Sequence, residues 1–213
     1  MLVGNRMTPN PITIKPDLSI AEAMAWMKRE KVRHFPVVEE GELVGIVTSN
    51  DLLNASPSSA TSLSMWEVNY LLARVTVEEV MTKEVITVEE DCLLEEAARA
   101  MTDHKIGCLP VLRDDLVVGI ITESDLFKVF LELFDAREKG VRLTLLAPYV
   151  KGSLAEISST ITKKGGLILA LNTFMGEDPS NWGCALKVTD ISKEELLEVV
   201  KPLVVEIIDV REV

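Results

Sequence analysis

The chain has 213 residues, 47% hydrophobic and 26% charged, which is enough for one large domain or two small ones with real cores. A formal net charge of −12 excludes a nonspecific nucleic-acid binder, which needs a basic surface to displace counterions, and it disfavours anionic membranes. No apolar run approaches the roughly 18 residues of a membrane helix, the opening MLVGNRMTPNP lacks the long apolar core of a signal peptide, and Cys92, Cys108 and Cys184 show no C-x-x-C spacing, so the expected setting is reducing and cytoplasmic.

In chain order, residues 11–14 read as a short strand. Ser19 and Glu22 then form a capping box, and Ile20, Ala23, Met24 and Met27 recur behind it at helical spacing. Strands at 35–38 and 43–48 are joined by the turn Glu39-Glu40-Gly41-Glu42, and a helix starts at or near Asp51. NASPSSATS, at 54–62, reads as a flexible crossing, and 65–80 as one helix.

The pattern then starts again. Slid by 74 positions, residues 6–53 lie on 80–127 without a gap. Met7-Thr8 meets Met81-Thr82, Pro36-Val37 meets Pro110-Val111, and GIVTSNDLL (45–53) meets GIITESDLF (119–127). The second copy has strands at 85–88, 109–112 and 117–122, and Asp91 is its helix cap because Leu93 stands where Ser19 stood. Gapless register over 48 residues implies two copies of one β-α-β-β-α unit arranged as a pseudo-twofold pair.

Past Asp125, apolar residues at 126, 127, 130, 133 and 134 give one broad helical face, and Gly140 suits the position just beyond a helix end. A different unit follows. It has a strand at 141–147, a helix at 152–165, strands at 166–174 and 183–189 flanking the loop 175–182, a helix opened by Ser192 with Glu195 and ended by Pro202, and a strand at 204–211. That is the β-α-β-β-α-β order of a ferredoxin-like fold. Trp182 is either a lid or a core aromatic. The predicted class is therefore α/β (α+β). The tandem pair covers 1–139, with repeat one at about 6–55, a linker at 56–79 and repeat two at about 80–139, and the second domain covers 140–213.

The repeated Gly-h-h-Thr-x-x-Asp is a chemically equipped corner between strand and helix. Thr48 and Thr122 carry a hydroxyl, Asp51 and Asp125 two acceptor oxygens each, and the following helix start has unpaired N–H groups. A carboxylate there matches two vicinal hydroxyls, as on a ribose. The plainer alternative is that Thr caps the helix and Asp is its third residue, with no ligand at all. No H-E-x-x-H, G-x-S-x-G or P-loop pattern occurs, and the two histidines and three cysteines lack zinc-ligand spacing, so no enzyme and no metal are expected.

The paired segments FPVV/LPVL and GIVTSND/GIITESD resemble those of tandem CBS domains, the Bateman module. The resemblance implies a regulatory protein that needs no cofactor and binds an adenosine-containing effector (AMP, ADP, ATP or S-adenosylmethionine) between the repeats. Carried over residue by residue, it assigns Thr48, Asn50 and Asp51 to one site and Thr122, Ser124 and Asp125 to the other, with the Asp on the ribose. Ile12, Thr13, Ile86 and Thr87 would lie near the base, and Ile46 and Ile120 are the apolar strand residues of the two sites. Arg33 and His34 occupy positions that can touch phosphate, and their counterparts Gly107 and Cys108 offer no charge. The C-terminal unit resembles an ACT domain through Gly152, Leu154 and Ile157, which makes Gly152, Ser153 and Leu154 an effector loop. The order of the parts is similar to that of the acetoin utilization (AcuB) family. A homodimer, with a regulated enzyme as partner, is the implied assembly; a protein-interaction scaffold with vestigial ligand sites is the alternative.

Overall fold

A computed structural model describes residues 1–56, 64–176 and 178–213, which fall into two units, Met1–Leu126 and Phe127–Val213. The first unit begins with a two-residue strand, β1 (Thr8–Pro9), and helix α1 (Ile20–Glu30). The Ser19 hydroxyl accepts from the Glu22 amide at 3.2 Å, closing the capping box. Ile20, Ala23 and Met27 are buried on the inner face of α1 against Phe35, Val37, Val47 and Leu52. Strands β2 (His34–Glu39) and β3 (Glu42–Thr48) form a hairpin whose turn residues, Glu40 and Gly41, both have positive φ (52° and 97°), as two-residue hairpins require. Helix α2 (Ser49–Asn54) follows directly. Most of the expected crossing loop, 57–63, lies outside the described residues.

The single helix expected over 65–80 is two, α3 (Met65–Leu72) and α4 (Val77–Val80). The break has a backbone cause. The Ile20 amide donates to the Val75 carbonyl at 3.0 Å and the Val77 amide to the Leu18 carbonyl at 2.8 Å, so Thr76, between them, is extended and bridged to Ser19 beside the start of α1. Thr76 then restarts the helix, its amide donating to the Glu79 carboxylate at 2.9 Å.

The second repeat comprises β4 (Val88–Glu89), α5 (Leu94–His104), β5 (Cys108–Arg113) and β6 (Leu116–Thr122), with α6 (Glu123–Leu133) after it. Asp91 does not cap α5. Leu93 holds the cap position with no side-chain bond, and the Leu94 amide donates instead to the Met1 carbonyl at 2.9 Å.

The repeats exchange their leading segments. β1 belongs to repeat one in sequence but pairs with β6 of repeat two, Thr8 opposite Ile120 and Pro9 opposite Gly119, giving a sheet ordered β1-β6-β5-β4. The reciprocal contact is a bridge between Ile46 and Thr82, bonded both ways at 2.9 Å. The expected strand at 11–14 is accordingly reduced to a bridge from Ile14 to Val37, the counterpart of Val88 opposite Val111. Each exchange is locked by a methionine on a glycine. A Cβ added at Gly119 would fall 2.9 Å from Met7 Cγ, and one at Gly45 2.9 Å from Met81 Cγ, both closer still to the sulfur.

The second unit adds β7 (Val141–Pro148), α7 (Ser153–Lys163), β8 (Leu167–Met175), β9 (Asn181–Thr189), α8 (Lys193–Val200) and β10 (Glu206–Glu212). Its antiparallel sheet is ordered β10-β7-β9-β8, the arrangement the split β-α-β order leads to. Leu143, Leu145 and Leu186 of the sheet bury against Ile157 and Ile161 of α7 and Leu196 of α8. Helix α6 stops at Leu133, short of the expected end before Gly140. Asp135 turns the chain at φ 46°, and Gly140 is committed to a two-way backbone pairing with Val213 at 3.0 Å. The carbonyls left at that helix end find side-chain donors: Asn172 Nδ2 reaches Leu133 O at 3.1 Å, and the buried Lys187 Nζ reaches Asp135 O at 2.8 Å.

Candidate ligand-binding site

Both Gly-h-h-Thr-x-x-Asp corners fold into the same turn. In the first, the Thr48 amide donates to Asp51 Oδ2 at 2.8 Å and the Asp51 amide donates to Thr48 Oγ1 at 3.3 Å. In the second, the Thr122 amide and hydroxyl donate to Asp125 Oδ2 at 3.1 and 2.7 Å. The helix-start reading is therefore realised in each copy. It leaves room for the other. In the first corner the Asp51 carboxylate accepts from the Thr48 amide through Oδ2, so Oδ1 is the oxygen that would meet a sugar hydroxyl. Asp125 is buried and Asp51 half-buried, with the neighbouring Asn50 and Ser124 exposed.

The corners meet where the two repeats touch. His34 stands opposite Thr48 across β2–β3, and Cys108 opposite Thr122 across β5–β6. Ile46, Ile120 and Cys108 form one apolar cluster, with Val85 packed against it. Above it the copies differ in charge. The 74-residue register sets Arg33 against Gly107, His34 against Cys108 and Ser49 against Glu123. The missing side chain at Gly107 leaves a space that both repeats approach: Glu123 Oε2 lies 3.5 Å and His34 Nε2 3.9 Å from where a Cβ would sit. Glu123 is the residue the sequence reading passed over, because it occupies a variable place in the motif; the offset comparison with Ser49 is the signal that could have found it.

The electrostatics follow from this packing. Burial, and then Glu123 and Asp51, push the Cys108 thiol up to about 12, so it stays protonated and acts as an apolar wall. Burial first, and Arg33 second, lower the His34 pKa below 6.5, with Glu123 and Asp51 partly opposing. A neutral imidazole is thus favoured in the fold. As pH falls, the unfolded chain takes up this proton first, so the stabilisation is complete above 6.5 and declines below it until the folded-state pKa is reached. His34→Asn should show a smaller loss of melting temperature than the unsubstituted chain between pH 7.5 and pH 5.5; equal losses would show that His34 contributes nothing to it.

Among the base-side residues, Ile12 and Thr13 are exposed, and Ile86 and Thr87 half-buried, each pair leading into an edge pairing at Ile14 or Val88. Among the described residues no hydrogen bond ties these four to a corner.

The second unit holds an open cavity of about 1280 Å³ at the start of α7. Gly152, Ser153 and Leu154 line it, together with Tyr149, Phe174 and Trp182. Trp182 lies on β9, beyond the end of any loop, and it packs against the core; its indole N–H donates to Pro148 O at 3.0 Å and to Ser153 Oγ at 3.1 Å. Among the described residues no helix is long and apolar enough to cross a membrane, and no group of three potential metal ligands occurs.

The CBS domain family profile matches residues 3–58 and 77–132, just over half of the chain. Protein MJ1225 of Methanocaldococcus jannaschii is 34% identical over 137 residues, 61% of this chain and 47% of that one. The L-aspartate semialdehyde sulfurtransferase of the same organism is 34% identical over 131 residues, 61% of this chain and 23% of the enzyme, so the chain spans less than half of these curated relatives. Among solved structures, a Vibrio cholerae protein assigned to acetoin utilization (AcuB) superposes with a TM-score of 0.53 at 34% identity, covering 64% of this chain and 95% of the other. The CBS pair of protein MJ0100, in complex with 5-methylthioadenosine and S-adenosyl-L-methionine, gives 0.52 at 33%, covering 65% and 98%. CBSX2 in complex with AMP, a protein of Arabidopsis thaliana, gives 0.52 at 31%, covering 62% and 97%. With both repeats matched in full register, exchanged leading segments included, the chain belongs to the CBS domain family.

Proposed function

We propose that this chain is a ligand-sensing regulator, not a catalyst, whose CBS pair binds an adenosine compound (AMP, ADP, ATP or S-adenosylmethionine) with Asp51 and Asp125 on the ribose. The observation that carries the reading is the pair of Thr–Asp corners in one register, opening on a shared apolar centre made by Ile46, Ile120 and Cys108. Neighbours of the same fold hold AMP in one case and 5-methylthioadenosine with S-adenosylmethionine in another. Arg33 and His34 suit the first corner to a phosphorylated ligand. Ile12, Thr13, Ile86 and Thr87 flank the base, and Asn50 and Ser124 the sugar.

The second unit, 140–213 in this reading, works as an ACT-like sensing or dimerisation module with Gly152, Ser153 and Leu154 at its effector loop. Edge strand β8, with Leu167, Phe174 and Met175 exposed, supports a homodimer. The setting is cytoplasmic and the listener is a regulated enzyme, in acetoin utilization if the family likeness extends to pathway.

A thermal-shift screen with AMP, ADP, ATP, S-adenosylmethionine and amino acids tests this. A ligand at 100 times its dissociation constant stabilises by about 2.7 kcal/mol. Stabilisation by an adenosine compound is expected; none with any of them would leave the interaction-scaffold reading. In Asp125→Ala protein, AMP should bind more tightly than adenosine, and equal affinities would remove the phosphate preference of the first corner.

A further inference from the structure

We propose that Glu123 sets the charge preference of the second corner: it disfavours a 5′-phosphate on the bound adenosine compound and favours a sulfonium or an uncharged group. This rests on the ligand reading above. Glu123 opens α6, and an acid at a helix start has an ordinary structural role in offsetting the helix dipole. Three observations go beyond that role. The register counterpart, Ser49, shows that the same capping turn forms without an acid. The Glu123 carboxylate is aimed at Gly107, 3.5 Å from the position a Cβ there would take, although the residue as a whole is exposed and open to solvent on its other side. It faces the other repeat there, because His34 Nε2 lies 3.9 Å from that same position, and its charge acts on both His34 and Cys108.

The two corners are then electrostatic opposites on one scaffold. The first carries Arg33 and no acid at Ser49; the second carries Glu123 and, at Gly107, no base of its own, only the His34 imidazole of the first repeat, held toward its neutral form, standing 3.9 Å from that position. A phosphate entering beside Thr122 and Gly107 would meet a carboxylate, while a sulfonium would meet a counter-charge. Repeat duplication alone supplies two equal sites; these two substitutions make them unequal, so one chain can read a phosphorylated and a non-phosphorylated adenosine compound separately.

The test uses the full chain carrying Asp51→Ala, which leaves the second corner intact, with and without Glu123→Gln, titrated by calorimetry with AMP, adenosine and S-adenosylmethionine. Glu123→Gln should raise AMP affinity about tenfold, within the range expected for like charges roughly 4 Å apart between bulk water and a protein surface. It should lower S-adenosylmethionine affinity by a similar factor and leave adenosine within about twofold. Opposite signs for the two charged ligands are something a general loosening of the fold would not produce, and Glu123→Ser, which copies the first corner, should behave the same way. An AMP-to-adenosine ratio unmoved by either substitution would overturn the proposal and leave the ligand reading standing. Binding to the unsubstituted chain that vanishes in Asp51→Ala would overturn it too, because the second corner would then hold nothing. No binding of any adenosine compound to the unsubstituted chain would overturn both.

Discussion

Replacing Asp51 or Asp125 by alanine is expected to weaken adenosine-compound binding at its own corner by about ten- to a hundredfold, and the double substitution to weaken both corners by that factor. The size follows from the chemistry. A hydrogen bond to a charged group contributes about 1.5–3 kcal/mol, and each 1.4 kcal/mol is a factor of about ten in affinity. The fold should survive the change. Each aspartate also accepts from its threonine at the start of a helix, and the helix-terminus part of that contribution is about 0.3–1 kcal/mol. Calorimetry on the single and double variants, with circular dichroism to confirm folding, reads both effects. Full affinity in the folded double variant would show that the corners cap helices and do nothing more.

Gly119→Ala should destabilise the first unit by about 1–3 kcal/mol, the usual cost of forcing extra volume into a filled space. Gly119 is paired on both sides, to Pro9 and to Val111, so its backbone cannot retreat. The space in front of it holds the Met7 side chain, with Cγ at 2.9 Å and Cε at 3.1 Å from the added carbon. Shortening that obstacle should help: Met7→Ala combined with Gly119→Ala is expected to be more stable than the sum of the two single effects. Thermal unfolding of the four proteins gives the coupling directly. Additive effects would mean that the methionine does not hold the exchanged segment in place. Gly45 and Met81 offer the same experiment on the other side of the pseudo-twofold.

These two sets of residues differ in how far they could be read from the chain. The corners were legible because their signals are local: a strand, a Thr, an Asp three residues after it, and the same spelling 74 residues later. The Ser19–Glu22 and Ser192–Glu195 boxes were legible for the same reason and form as expected. The exchange of β1 onto β6 was not, because pairing Thr8 with Ile120 is a contact across more than a hundred residues and leaves no periodicity behind. The split of 65–80 was hidden by apolar residues that continue through the break, where the backbone of 75–77 is claimed by residues 18 and 20. The early end of α6 depends on Asn172 and Lys187, which are far away in sequence. In the second unit, the helix and strand periods and the order of elements sufficed for the sheet, whereas the cavity wall of Tyr149 and Phe174 depends on which ends of which strands come together.

A crystal structure grown with AMP, and a second with S-adenosylmethionine, test the ligand reading most directly. The expected result is a ribose whose two hydroxyls lie within about 3 Å of a carboxylate oxygen, hydrogen-bond distance, at Asp51 or Asp125, its adenine against Ile12 and Thr13 or Ile86 and Thr87. A nucleotide seated only in the cavity beside Trp182, with no ribose hydroxyl on Asp51 or Asp125, would contradict it.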